Sequence, residues 1–125
     1  MNAGDTFYVR DRSVDTHLWV IISDPERDSE CVVIVSVTTY EPHKEDVCLL
    51  NAGEHPRVTH QSCVAYNEAR TITLDQLTSL RDEGKLSVQS PVSASILSKI
   101  RAGVSQSRRI KPRYIEWLLD QGVID

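Results

Sequence analysis

The sequence predicts an α+β fold, with strands over about residues 1–70 and helices over about 71–125 of a single domain. Three observations predict it. Residues 31–39, Cys-Val-Val-Ile-Val-Ser-Val-Thr-Thr, are dense in β-branched side chains, which suit a pleated sheet. Turn signals recur every 8–15 residues through the first half, as in a small barrel or sandwich. From Thr73 onward the pattern changes to capped segments of helical period.

Thr6-Phe7-Tyr8-Val9 is a short candidate strand, and residues 17–23 are a stronger one that ends at the turn signal Asp24-Pro25. The run over 31–39 lacks polar alternation until Ser36, which predicts burial on both faces. Residues 46–50 come next, closed by Asn51-Ala52-Gly53, and 58–59 and 62–66 are two further short candidates. Thr73 is a natural cap for a helix over 74–83, with Leu74, Leu77 and Leu80 as its apolar stripe and Gly84 past its end. Ser90-Pro91 predicts the start of a second helix carrying Val92, Ile96, Leu97 and Ile100. Lys111-Pro112 opens a third, with Ile115, Trp117, Leu118 and Leu119 and a stop at Gly122. The segment 103–111 between them is the expected hinge or mobile loop. Trp19, Ile21, Val33, Val35 and Leu49 are the expected core, and Trp117 and Leu118 are expected to pack back onto the barrel or a partner chain.

At 125 residues the chain can bury about two-thirds of its unfolded surface and needs no staple. No apolar run approaches the roughly 20 residues of a membrane span, and no signal peptide is visible, so the cytoplasm is the expected compartment and no membrane partner is expected. Three cysteines, Cys31, Cys48 and Cys63, do not suggest a disulfide framework. The net charge of −4 hides a division. No acid falls over 86–115, whereas Lys99, Arg101, Arg108, Arg109, Lys111 and Arg113 do. Such a segment can attract phosphate or an acidic partner, or dock on the chain's own acidic half.

No Walker loop, G-x-G-x-x-G or C-x-x-C is present. His55, His60, Cys63 and Cys48 offer zinc donor atoms, but at no finger or ribbon spacing, and no cofactor is expected. All four histidines, His17, His43, His55 and His60, fall in the strand-rich half, two of them in Glu54-His55-Pro56-Arg57-Val58-Thr59-His60-Gln61-Ser62. Proton-transfer groups on a loop held by a rigid sheet make a reasonable site.

Taken together, Gly4-Asp5-Thr6-Phe7-Tyr8, the strand over 18–23, the strand over 33–39 and the segment over 54–62 resemble the PemK/MazF-like toxins of bacterial toxin–antitoxin pairs, over about residues 4–70. The resemblance implies an SH3-like β-barrel with helices, often a homodimer, that cleaves RNA and is restrained by a cognate antitoxin. Better-known members place a cleaving Arg just before the second strand. Here that stretch is Asp15-Thr16-His17-Leu18. The family's hydroxyl at the end of the third strand is matched by Thr38 or Thr39. Three possibilities follow: His17 takes the Arg role, the His55/His60 segment does, or the chain cleaves nothing and is a non-nuclease toxin or a binding module of the same barrel fold acting on a protein target.

Metal-free RNA cleavage uses the 2′-OH as nucleophile. It needs a base for that proton, an acid for the leaving 5′-oxygen and donors for the charged phosphorane. Histidine suits the first two tasks, and hydroxyls and arginine the third. His17, Thr38, Thr39, His55, His60 and Ser62 are therefore the candidate catalytic residues. Arg57, Arg108, Arg109, Lys111 and Arg113 are the candidate RNA- or partner-binding residues. His55 and His60 are expected to share one polar site with Thr38 or Thr39, with His17 at its edge.

Overall fold

The structure, a computed structural model, describes residues 1–10 and 17–125. The elements run β1 (Thr6–Val9), β2 (Leu18–Ile21), β3 (Cys31–Thr39), β4 (Leu49–Leu50), β5 (Ser62–Thr73), α1 (Leu74–Asp82), β6 (Leu86–Gln89), α2 (Ala94–Val104) and α3 (Pro112–Asp120). The strands form one curled antiparallel half-barrel in the order β4-β5-β3-β2-β1-β6, with three helices against it. No helix among the described residues is long and apolar enough to cross a membrane.

The β-branched run of β3 lies near the middle of the sheet, between β2 and β5, and its two side-chain rows enter two different cores. Val33, Val35 and Val37 join Leu18, Val20 and Ile22 under α2 and α3, represented by Ile96, Ile100, Val104, Tyr114 and Leu118. Val32 and Ile34 join Phe7, Trp19 and Ile21 under Leu77 of α1. Burial on both faces explains why β3 shows no polar alternation there. Trp19, Ile21, Val33 and Val35 are buried as expected. Leu49 is only half-buried, because β4 is two residues long and lies at the sheet edge.

Helix α1 starts at Thr73 through a capping box. The Thr73 hydroxyl accepts from the Gln76 N–H, and the Gln76 side chain accepts from the Thr73 N–H. Helix α3 starts at Pro112 as the sequence predicts, and Gly122 beyond its end takes φ +71°. Gln121 fastens α3 to the β2–β3 turn, its side-chain oxygen accepting from Asp24 N–H at 2.8 Å. Leu118 is fully buried and Trp117 packs at the margin of the same core.

Four expectations need correction. Helix α2 starts at Ser93, not at Ser90-Pro91, and the Ser93 hydroxyl accepts from Ile96 N–H. The earlier residues are committed elsewhere: Val92 N–H donates to Gly4 C=O, and the Ser90 carbonyl accepts from side chains. The C-terminal half also contains a strand, β6, which pairs with β1 from Thr6↔Gln89 to Val9↔Leu86. Residues 58–59 form no strand; Val58 instead closes a turn by bonding His55 C=O and Gly53 N–H. The stretch 103–111 is pinned by Glu45, which accepts from Ser107 Oγ at 2.7 Å and from Arg108 N–H at 2.8 Å.

Candidate functional site

The end of β3 departs from the apolar rule of its earlier residues. By the two-residue period of a strand, Ser36 and Thr38 continue the row of Val32 and Ile34. The Leu77-centred core ends with Ile34 and Trp19, so the row turns polar where the core stops. The ladder pairs Leu18 with Val37, which sets His17 and Thr38 at one end of the sheet.

Strand β5 builds the opposite wall through an irregularity. Ile34 pairs with Arg70 but Ser36 pairs with Ala65, so four residues of β5 lie opposite Val35 alone. Such an insertion redirects side chains. Tyr66 from this bulge enters the helix-covered core, where its hydroxyl donates to Ile100 C=O at 2.6 Å. Glu68 turns to the open side. Its Oε2 accepts from Ser36 Oγ at 2.8 Å and lies 3.2 Å from His17 Nδ1. Both His17 and Glu68 are about one-third exposed.

Two cavities meet here. The first, of about 300 Å³, is lined by His17, Thr38, Thr39, Arg57, His60 and Ser62 among others. The second, of about 250 Å³, shares His17 and Thr38 and adds His43, Lys44, Glu68 and Arg109 among others. His60 is bonded through Nε2 to the Thr39 hydroxyl at 2.7 Å and through Nδ1 to the Thr59 hydroxyl at 3.3 Å. Lys44 Nζ donates to Thr38 Oγ1 at 3.3 Å and to Thr39 C=O at 2.7 Å. Ser62 is buried and spends its O–H on His60 C=O at 3.0 Å, so it braces the His60 turn. Arg57 donates from Nε to Gln89 Oε1 at 2.6 Å, while its side chain borders the first cavity.

Five of the six candidate catalytic residues, His17, Thr38, Thr39, His60 and Ser62, therefore border one cavity. His55 does not, contrary to the expectation that it would share a site with His60. It is buried, with Nε2 2.5 Å from Ser90 C=O and Nδ1 accepting Arg57 N–H at 3.0 Å. A ring that accepts at Nδ1 and faces a carbonyl at Nε2 is the Nε2–H tautomer with both nitrogens engaged. Its geometry is that of a fastener between the 51–60 loop and the end of β6.

The basic segment does not act as one surface. Lys99 and Arg101 spend their side chains on the carbonyls of Leu49 and Ile22. Arg109 borders the second cavity, its guanidinium donating to His43 C=O at 3.1 Å. Arg113 stacks over Tyr114 and lines a separate groove beside α3. Arg108 and Lys111 are exposed. Burial raises the pKa of the Cys48 and Cys63 thiols, opposed at Cys48 by Lys99 and at Cys63 by Lys44 and Arg109. Among the described residues, no group of three or more His, Cys, Asp or Glu side chains could hold a metal ion. Asp15 and Thr16, in the stretch where the resembled family carries its Arg, lie outside the described residues.

Sequence reasoning missed Glu68 and Lys44. The signal for Glu68 was the polar pair Asn67-Glu68 interrupting an otherwise strand-like stretch, which marks a bulge. Lys44 carried no signal in a loop of mixed charge.

Among solved structures, the chain is similar to an endoribonuclease in complex with its cognate antitoxin from a mycobacterial species. The TM-score is 0.56 at 18% identity, over 89% of this chain and 95% of that one. The likeness is one of fold. No family model and no curated protein matches the sequence.

Proposed function

We propose that the chain is the toxin component of a type II toxin–antitoxin pair, a divergent PemK/MazF-like protein that cleaves RNA without a metal. The observation that carries this reading is the meeting of two cavities at His17 and Thr38, with His60, Thr39 and Arg57 on the same rim. The fold of the antitoxin-bound endoribonuclease supports it. In this reading the half-barrel is a variant of the SH3-like barrel and the chain is one cytoplasmic domain. It works alone or as a homodimer, with an antitoxin as its partner.

The scissile phosphate sits at the junction. One of His17 and His60 takes the proton of the 2′-OH as its oxygen bonds to phosphorus. The other gives a proton to the 5′-oxygen as the P–O5′ bond breaks. The products are a 2′,3′-cyclic phosphate and a 5′-hydroxyl. The Thr38 and Thr39 hydroxyls and Arg57 donate to the phosphorane oxygens, where charge builds in the transition state.

Digestion of RNA by the purified protein in the presence of a chelator tests the reading. His17→Ala and His60→Ala are each expected to slow cleavage by about 100-fold or more, since a positioned acid or base contributes about 10²–10⁴-fold. Intact RNA together with growth arrest in cells would instead assign a protein target, as the absence of Arg over residues 15–18 suggests.

A further inference from the structure

We propose that the second cavity is a phosphate subsite for single-stranded RNA, in which Lys44 and Arg109 hold the phosphate next to the scissile one. This rests on the RNA-cleaving reading above. Continuity is the first support: His17 and Thr38 line both cavities, so a strand whose reacting phosphate lies at their junction extends from one cavity into the other.

Charge bookkeeping is the second. Among the described residues neither cation is paired with a carboxylate. Lys44 donates only to neutral oxygens, Thr38 Oγ1 and Thr39 C=O, and an ammonium has three donors. The Arg109 guanidinium donates to one carbonyl, His43 C=O, out of a five-donor capacity. The two acids of the same cavity are bonded to other groups. Glu45 accepts from Ser107 Oγ and Arg108 N–H, and Glu68 from Ser36 Oγ while contacting His17. Both carboxylates stay charged, but neither is paired with Lys44 or Arg109, so the two cations keep donors to offer an anion.

Support from behind is the third. Ser107 Oγ, itself bonded to Glu45, accepts from the N–H groups of Arg109 and Ile110 at 3.1 Å each. This knot fixes the backbone at Arg109. Lys44 is held by the end of β3. Both cations act on the same wall, since at the Cys63 thiol each opposes the rise that burial, Glu41 and Glu45 cause. A cation pair on preset backbone suits phosphate, with arginine offering a planar fork and lysine a point charge.

The test uses the full chain and a short 2′-O-methyl RNA, which lacks the nucleophile and cannot be cleaved. Its affinity is measured from 50 to 200 mM salt. Lys44→Met with Arg109→Met is expected to weaken binding by roughly tenfold or more at low salt, because charge-assisted bonds are lost. It should also reduce the salt slope by about 0.7, the value for one phosphate contact on a single strand. Arg81→Met with Lys85→Met removes the same charge from the exposed end of α1 and the turn after it, away from both cavities, and should leave affinity unchanged. Circular dichroism and Tm verify folding of each variant. Equal losses from both pairs would replace the subsite by a general field and overturn it. Unchanged RNA affinity in the Lys44/Arg109 variant, with wild-type cleavage intact, would overturn the subsite alone. If that variant also lost an acidic antitoxin peptide, the cavity would belong to protein. Failure of the wild type to bind or cleave RNA would overturn the subsite together with the reading beneath it.

Discussion

The two side-chain rows of β3 begin alike and then part. Val33, Val35 and Val37 pack beneath α2 and α3, and their row turns polar only at Thr39, the last residue of the strand. Val32 and Ile34 are sealed by α1, but their row turns polar earlier, as buried Ser36, bonded to Glu68, and then Thr38, which borders both cavities. The difference teaches where each property resides. The larger buried core lies on the face covered by α2 and α3, and the groups able to do chemistry stand at the strand end, where Thr38 and Thr39 belong to opposite rows and Leu18, Val37 and Val58 of that core border the first cavity. A substitution deep in that core should therefore move stability and spare cleavage, and one at the strand end the reverse.

The largest expected effect comes from the sealed face. Gly103 lies in α2 against Tyr66, and a Cβ at this position would stand 2.1 Å from the Tyr66 hydroxyl. Gly103→Ala must displace a buried ring and its bond to Ile100 C=O. Overpacking and a lost buried partner together cost about 3 kcal/mol. A large fall in Tm with unaltered cleavage per folded molecule would sharpen the comparison; a fall in cleavage beyond the folded fraction would break it.

Next in size is the pair of histidines in the 55–60 segment. His55→Ala removes partners from Ser90 C=O and Arg57 N–H and should cost about 1–3 kcal/mol of stability. His60→Ala should leave Tm nearly unchanged and lower the rate. Parallel thermal melts and cleavage assays decide. If His55→Ala kept full stability yet abolished cleavage, the division of labour between the two residues would be wrong.

The smallest effect is alkaline. Burial holds the Cys48 and Cys63 thiols above their ordinary range. An unfolded thiol loses its proton near pH 8.5, while the folded ones keep theirs to higher pH. Stability from these groups is therefore complete below about pH 8.5 and is lost as pH rises through the folded values. Tm should fall as pH rises above about 8.5, and less steeply in Cys48→Ala, which compares the sealed face with the cavity wall at Cys63. Burial likewise raises the Tyr66 phenol, adding to the fall at the upper end.

What was legible in the sequence was what short-range chemistry decides. The β-branched density of 31–39 matches β3 because burial on both faces selects those residues without regard to partners. Thr73 and Pro112 mark helix starts because a cap and a preset φ are local devices. Strand β6 was not legible, since Leu-Ser-Val-Gln becomes a strand only through its distant partner β1. The false start at Ser90 has the same origin: its carbonyl serves Thr6 Oγ1 and His55 rather than a helix. In the site, histidines and hydroxyls were visible as residue types. That His60 faces the cavity while His55 turns inward, and that a β5 bulge brings Glu68 to His17, depend on pairing across the sheet.

The pairing of β1 has a bearing on how the molecule is made. Thr6 lies between Val20 and Gln89, one partner near in sequence and one far away. Closing the longer loop slows the docking of β6, because non-local pairs form after their entropy cost is met. At about 5–20 residues per second, several seconds of synthesis separate Thr6 from Gln89. The Ser90 carbonyl that holds His55, and through its turn the loop bearing Arg57 and His60, arrives one residue later. The residues of the first two strands are thus made early and those that complete the rim of the cleft late, so the cleft is among the last parts of the molecule that a growing chain can finish.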